Sequence, residues 1–104
     1  MSLREKLGEL TDSLVSVAHC APDNYDEWLL EYFPTQAAIH EEEIKELRAL
    51  WSEIRPKIKK DLVKADYVGL KLQEMIDAFD KGDKVEGKKI ARELADLYVI
   101  TKLK

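Results

Sequence analysis

Apolar residues return every three or four positions along nearly the whole chain, a period that leaves room for little except helices. Leu3, Leu7, Leu10, Leu14, Val17 and Ala21 step by four and three, so on a helix they share one stripe that must bury against a neighbour. The same spacing runs through Ile44, Leu47, Trp51 and Ile54, continues in Ile58, Leu62, Ala65, Val68, Leu72, Met75, Ile76 and Phe79, and returns in Ile90, Ala91, Leu94, Leu97 and Tyr98. No stretch alternates long enough for a half-buried strand. Leu97-Tyr98-Val99-Ile100 would pass for one in isolation, yet it continues the helical phase of Ile90 and Leu94.

Local signals mark where the helices start and stop. Ser2 with Glu5 makes a capping box at the first, and Pro22-Asp23-Asn24 closes it, because proline lacks the N–H the next turn needs. Tyr25, Trp28, Leu29, Tyr32 and Phe33 then follow an i, i+3, i+4, i+7, i+8 pattern, which predicts a short aromatic helix stopped by Pro34. Thr35 suits an N-cap, and the acidic run Glu41-Glu42-Glu43 sits near the positive end of the helix dipole. Pro56 interrupts the next stripe, but its phase continues beyond the proline, which favours one long helix bent there over two helices joined by a turn. Gly82 suits a left-handed C-terminal cap, and Asp83 with Glu86 repeats the capping box for the last helix. The prediction is an all-α, up-and-down bundle of four to five helices near residues 2–21, 24–33, 36–54, 57–80 and 83–103, with the two middle segments fused through Pro56 or separated by it, in one domain covering 1–104.

A hydrophobic fraction of 45% beside a charged fraction of 37% is the mixture expected of amphipathic helices rather than of a disordered chain. Cys20 is the lone thiol, so an intrachain disulfide is impossible and nothing points to an oxidising compartment. The N-terminus mixes leucines with Arg4, Glu5, Lys6 and Glu9, unlike a signal peptide, and no segment approaches a membrane span. A cytoplasmic location with no membrane partner is expected.

Charge is unevenly spread. Residues 1–52 carry 4 Lys/Arg against 11 Asp/Glu, whereas residues 53–104 carry 13 against 10. Such halves attract one another within one bundle or across a dimer, and the intramolecular arrangement is the simpler expectation. Arg55, Lys57, Lys59, Lys60 and Lys64, with Lys84, Lys88, Lys89 and Arg92, form the basic part. Asp61, Asp66 and Glu86 dilute it, the pI is 5.2, and aromatic residues for base stacking are lacking among the lysines, so it reads as a solvated face rather than a nucleic-acid surface. The group Tyr25, Trp28, Tyr32 and Phe33 suits either an interface or a lid closing one end of the core, and the lid is preferred because a small domain needs its large side chains inside.

For catalysis the pattern offers little. His19, Cys20 and His40 form no ligand set, and no nucleophile motif or phosphate loop is present. Two acidic motifs stand out: Glu42-Glu43-Ile44-Lys45-Glu46 reads E-E-x-x-E and Glu93-Leu94-Ala95-Asp96 reads E-x-x-D. Convergence of the two would give an oxygen-rich site suited to Mg²⁺. These nine residues resemble the metal-binding helices of MazG-like all-α nucleotide pyrophosphatases, and that resemblance implies that Glu43, Glu46, Glu93 and Asp96 hold Mg²⁺ at a nucleoside triphosphate. In that family a shorter connection stands where this chain has residues 47–92. The preferred expectation is a non-catalytic protein–protein interaction or regulatory module, pairing with a protein partner or with itself as a homodimer. No catalytic, cofactor-binding or metal residue is assigned, and the Mg²⁺-dependent pyrophosphatase is the alternative. Self-association is motivated by the abundance of heptad-spaced apolar residues and by Ile100 and Leu103, which lie off the last stripe and have no evident internal partner.

Overall fold

The computed structural model describes residues 2–96, Ile100, Leu103 and Lys104. Its described residues form four α-helices: α1 (Leu3–Cys20), α2 (Gln36–Ile54), α3 (Leu62–Asp80) and α4 (Lys84–Asp96), with short 3-10 segments at Glu27–Glu31 and Arg55–Lys57. No strand occurs among the described residues.

The starts follow the local chemistry read from the sequence. The Ser2 hydroxyl accepts the Glu5 N–H at 3.2 Å, the Thr35 hydroxyl accepts that of Ala38 at 3.1 Å, and the Asp83 carboxylate accepts that of Glu86 at 3.1 Å. Each satisfies a donor that the first turn of a helix would otherwise leave without a partner. Between α3 and α4 the chain reverses at Gly82, whose φ of 81° is the left-handed conformation that glycine adopts without a Cβ clash. Asp83 donates to the Ala78 carbonyl at 2.8 Å and Gly82 to that of Phe79 at 3.0 Å, the paired bonds of a Schellman cap.

Contacts between ends fix the topology. Lys6 near the start of α1 pairs with Glu53 near the end of α2, so these helices are antiparallel. The His40 and Phe79 rings meet at 4.9 Å, placing the start of α2 beside the end of α3, and Lys84 reaches Asp23 at 3.6 Å, placing the start of α4 beside the end of α1. The helices therefore run up, down, up, down. Leu7, Leu10, Leu14 and Val17 of α1, Leu47 and Ile54 of α2, Ala65, Val68 and Met75 of α3, and Ala91 and Leu94 of α4 form one continuous, almost fully buried core. Burying each of the larger side chains is worth about 1.5–3 kcal/mol. On the α2–α3 side the gap is bridged by long side chains: Trp51 lies over Gly69, and Arg55 pairs with Asp66 at 2.7 Å.

Three expectations are corrected. Pro56 does not bend a continuous helix: α2 stops at Ile54, Arg55–Lys57 is a 3-10 turn, Ile58 is extended (φ -82°, ψ 119°), and α3 begins only at Leu62. The run of phase across the proline was coincidental, since Ile58 is buried from an extended backbone while Leu62, its supposed successor on the stripe, is exposed. The aromatic segment over 24–33 is not a fifth α-helix but a 3-10 turn at Glu27–Glu31, whose different period splits its side chains between inside and outside. Ile100 and Leu103 are not spare apolar surface, for both are buried in the core. They are carried there because the N–H groups of Lys59, Lys60 and Asp61 converge on the Lys104 carbonyl oxygen at 3.1, 2.7 and 3.1 Å, while Asp61 accepts the Lys104 N–H at 3.0 Å. Leu97 and Tyr98, expected in the last stripe, lie outside the described residues.

Candidate interaction surface

At the end where α1 stops and α2 starts, a polar cluster underlies the connection. The Gln36 side chain grips Tyr25 by both backbone groups, accepting its N–H at 2.8 Å and donating to its carbonyl at 3.1 Å. The buried Tyr25 phenol meets His40 Nδ1 at 3.4 Å, and the His40 ring lies edge-on to Phe79. Burial pushes the Tyr25 phenol well above its ordinary range, with smaller contributions from Glu43 and Cys20. Burial lowers the His40 pKa, against the opposing charges of Asp80 and Glu41. It also raises that of Glu43, with the Ser16 hydroxyl pulling back and Glu46 adding to the rise. Phe79 also packs close over Gly87, where an added Cβ would lie 2.8 Å from the ring. No buried side-chain nitrogen or oxygen among the described residues is left without a partner, so this cluster stabilises the end of the bundle and offers no unmet donor to a ligand.

The four carboxylates of the acidic motifs have separate surroundings. Glu43 is half-buried against α1 beside Ser16, and Glu46 is exposed. Glu93 and Asp96 are exposed on α4, which is divided from α2 by α1. Glu93 faces α3: the Lys71 ammonium there is held above its ordinary range, first by its hydrogen bond to Glu74 and more weakly by other charges including Glu93. Among the described residues no three His, Cys, Asp or Glu side chains come close enough to share a metal ion. His19 is exposed, Cys20 is partly covered as a free thiol, and His40 is occupied by Tyr25 and Phe79.

Among the described residues the exposed apolar side chains group mainly in two places, with Val15 of α1 and Val85 of α4 exposed besides. In the Glu27–Glu31 turn, Leu29 and Phe33 pack on the core with buried Tyr25, but Trp28 is 59% and Tyr32 73% exposed, with Leu30 beside them. Trp28 and Tyr32 touch edge to face, their ring centroids 6.3 Å apart. The expected lid is therefore built from half of the aromatic group, and the other half faces water. On α3 a second stripe, Val63, Tyr67 and Leu70, lies opposite the buried Ala65, Val68 and Leu72; Val63 is 84% and Leu70 59% exposed, with Leu62 at its edge. The steps of four and three in Val63, Tyr67 and Leu70 are legible in the sequence, and they mark a helix that is apolar on two faces.

The two patches carry opposite charge. Asp23, Asp26, Glu27 and Glu31 flank the aromatic turn without any cation between residues 23 and 33, whereas Arg55, Lys57, Lys59, Lys60 and Lys64 gather where α3 begins, with Asp61 as the lone acid between 55 and 64. Neutralisation within the chain is sparse: among the described residues, Lys84 with Asp23 is the ion pair that joins an acid of residues 1–52 to a base of residues 53–104. Among the described residues no helix is long and apolar enough to cross a membrane. Comparison with protein-family models, with curated proteins and with solved structures finds no match.

Proposed function

We propose that this chain is a small cytoplasmic interaction module that works by presenting apolar side chains to another protein surface. The observation carrying this reading is the exposure of Trp28, Tyr32, Val63, Tyr67 and Leu70 from a bundle that already buries a continuous core of other apolar residues. Trp and Tyr are the residue types that dominate binding energy at protein interfaces, because each buries a large rigid area with few torsions to fix. A chain selected only for solubility would place charge at such positions. The acidic motifs of α2 and α4 give little support to a metal-dependent reaction as its purpose, since among the described residues no three His, Cys, Asp or Glu side chains gather closely enough to share an ion.

A photo-crosslinking amino acid placed at residue 28 or residue 63, in the cells that make the protein, tests the reading. Discrete adducts should form at both positions and not at the exposed control Arg48. If neither 28 nor 63 gives an adduct, with this chain or with any other, the reading fails.

A further inference from the structure

The two exposed patches complement each other and cannot meet within one molecule. The aromatic turn follows α1 and precedes α2, while the basic stripe begins after α2 has run its whole length. At 1.5 Å per residue, the 19 residues of α2 separate the turn from the start of the stripe by about 28 Å, and the stripe runs about 10 Å back along α3 from Val63 to Leu70, on a molecule 41 Å long. One patch is aromatic with an acidic border; the other is aliphatic with Tyr67 and a basic border.

We infer that the partner of these surfaces is a second copy of this chain, laid antiparallel so that the Trp28–Tyr32 turn of each copy covers the Val63–Tyr67–Leu70 stripe of the other. Two patches displaced along one axis are what such a two-fold pair requires, since each contact is repeated by symmetry and both patches of both copies are engaged at once. A specific interface needs about 800 Å² per partner, and a chain whose large exposed side chains fall mainly in two patches assembles that area by using both. Charge sets the direction. Among the described residues Glu27 and Glu31 on one border, and Lys60 and Lys64 on the other, form no ion pair within the chain; a parallel pair would bring like charges together, whereas the antiparallel pair sets carboxylates opposite ammonium groups. Lys71, 5.8 Å from the Tyr67 ring centroid and bonded to Glu74, stays engaged within its own helix and does not compete for the incoming acids.

The inference rests on the reading of the chain as an interaction module, and it can fail alone. Sedimentation equilibrium of the full chain should show twice the 12.0 kDa monomer mass. Two double variants at exposed positions, Glu27→Lys with Glu31→Lys and Lys60→Glu with Lys64→Glu, should each keep wild-type helicity and weaken pairing by about tenfold or more. Mixing the two variants should restore it, because the mixed pair has opposite charges at both contacts. A wild-type chain that stays monomeric up to about 1 mM, a dimer indifferent to both swaps, a mixture that fails to recover, or open-ended polymers in place of a closed pair would each overturn the antiparallel pair. Monomeric behaviour together with adducts to a different protein at residue 28 or 63 would end self-pairing and leave the module standing.

Discussion

The connection between α1 and α2 and the connection between α2 and α3 lie at opposite ends of the bundle and treat their side chains differently. At the first, Gln36 satisfies the backbone of Tyr25, His40 meets its hydroxyl, and Tyr25, Leu29 and Phe33 turn inward. At the second, the free backbone donors of Lys59, Lys60 and Asp61 are met by Lys104, which draws Leu103 inward while Leu62 and Val63 remain in water. Burying a connection means finding partners for its backbone groups. Where a local side chain supplies them, Tyr25, Leu29 and Phe33 of the connection fold under it; where a distant segment supplies them, that segment's Leu103 joins Ile58 in the core.

The largest test of this contrast sets one tyrosine against another. Tyr25→Ala, at a position 6% exposed, should destabilise the fold by about 3 kcal/mol, through the lost area and the cavity left beneath the connection. Tyr67→Ala, read at a concentration dilute enough for single chains, should change stability by no more than about 0.5 kcal/mol, as expected of a surface position. Urea unfolding of both variants, compared by midpoint and slope, settles the difference, and equal losses would mean that the two ends are not built differently.

Glycines give a finer comparison. An alanine methyl at Gly87 would lie 2.8 Å from a Phe79 ring that also packs edge-on with His40, so the ring can withdraw only by disturbing that contact. Overpacking of this kind is worth about 1–3 kcal/mol, and alanine's helix propensity returns about 1 kcal/mol, leaving Gly87→Ala a net loss near 1 kcal/mol. Gly8 sits inside α1 with nothing within 4 Å of its added Cβ, so Gly8→Ala should gain about 0.5–1 kcal/mol from propensity alone. Thermal unfolding should move in opposite directions for the two variants. A stabilised Gly87→Ala would show that Phe79 is not clamped and that the Tyr25 end is looser than its contacts imply.

How much of this was legible depends on whether the deciding interaction is local. Ser2, Thr35, Gly82 and Asp83 were readable because a cap is a bond between residues three or so apart, written within a few letters of sequence. Pro56 was not, because periodicity records which residues are apolar and not whether the backbone stays helical between them; Ile58 satisfies the pattern from an extended conformation. Ile100 and Leu103 were misplaced for a related reason, their burial being set by hydrogen bonds between Lys104 and residues more than forty positions away. The acidic motifs had the spacing for a metal site, but spacing along one helix does not say which neighbour that helix faces, and here α1 stands between α2 and α4. The α3 stripe of Val63, Tyr67 and Leu70 is written in the sequence at steps of four and three, but which of the two apolar faces of α3 is buried is decided by packing against its neighbours rather than by the spacing.

The smallest expected effect probes the polar cluster through pH, and its two titrating members pull in opposite directions. His40 has a folded-state pKa lowered from 6.5 by burial, with Asp80 and Glu41 opposing; as pH falls through that value the unfolded chain binds a proton first, so His40 withdraws stability on acidification. Glu43 has a folded-state pKa raised from 4.5, by burial and by Glu46 against the pull of Ser16; as pH falls the folded chain binds a proton first, so Glu43 adds stability on acidification. His40 acts below its ordinary value of 6.5 and Glu43 above its ordinary value of 4.5, so between those values the two slopes oppose each other in the intact chain. His40→Gln keeps a hydrogen-bonding partner for Tyr25 and leaves Glu43 alone, so the urea midpoint should rise relative to wild type as pH is lowered across this window. Glu43→Gln leaves His40 alone, and its midpoint should fall more steeply than wild type. Profiles that run parallel to wild type in both variants would mean that neither group is held away from water, and the closed end would then differ from the open one in shape but not in its polar interior.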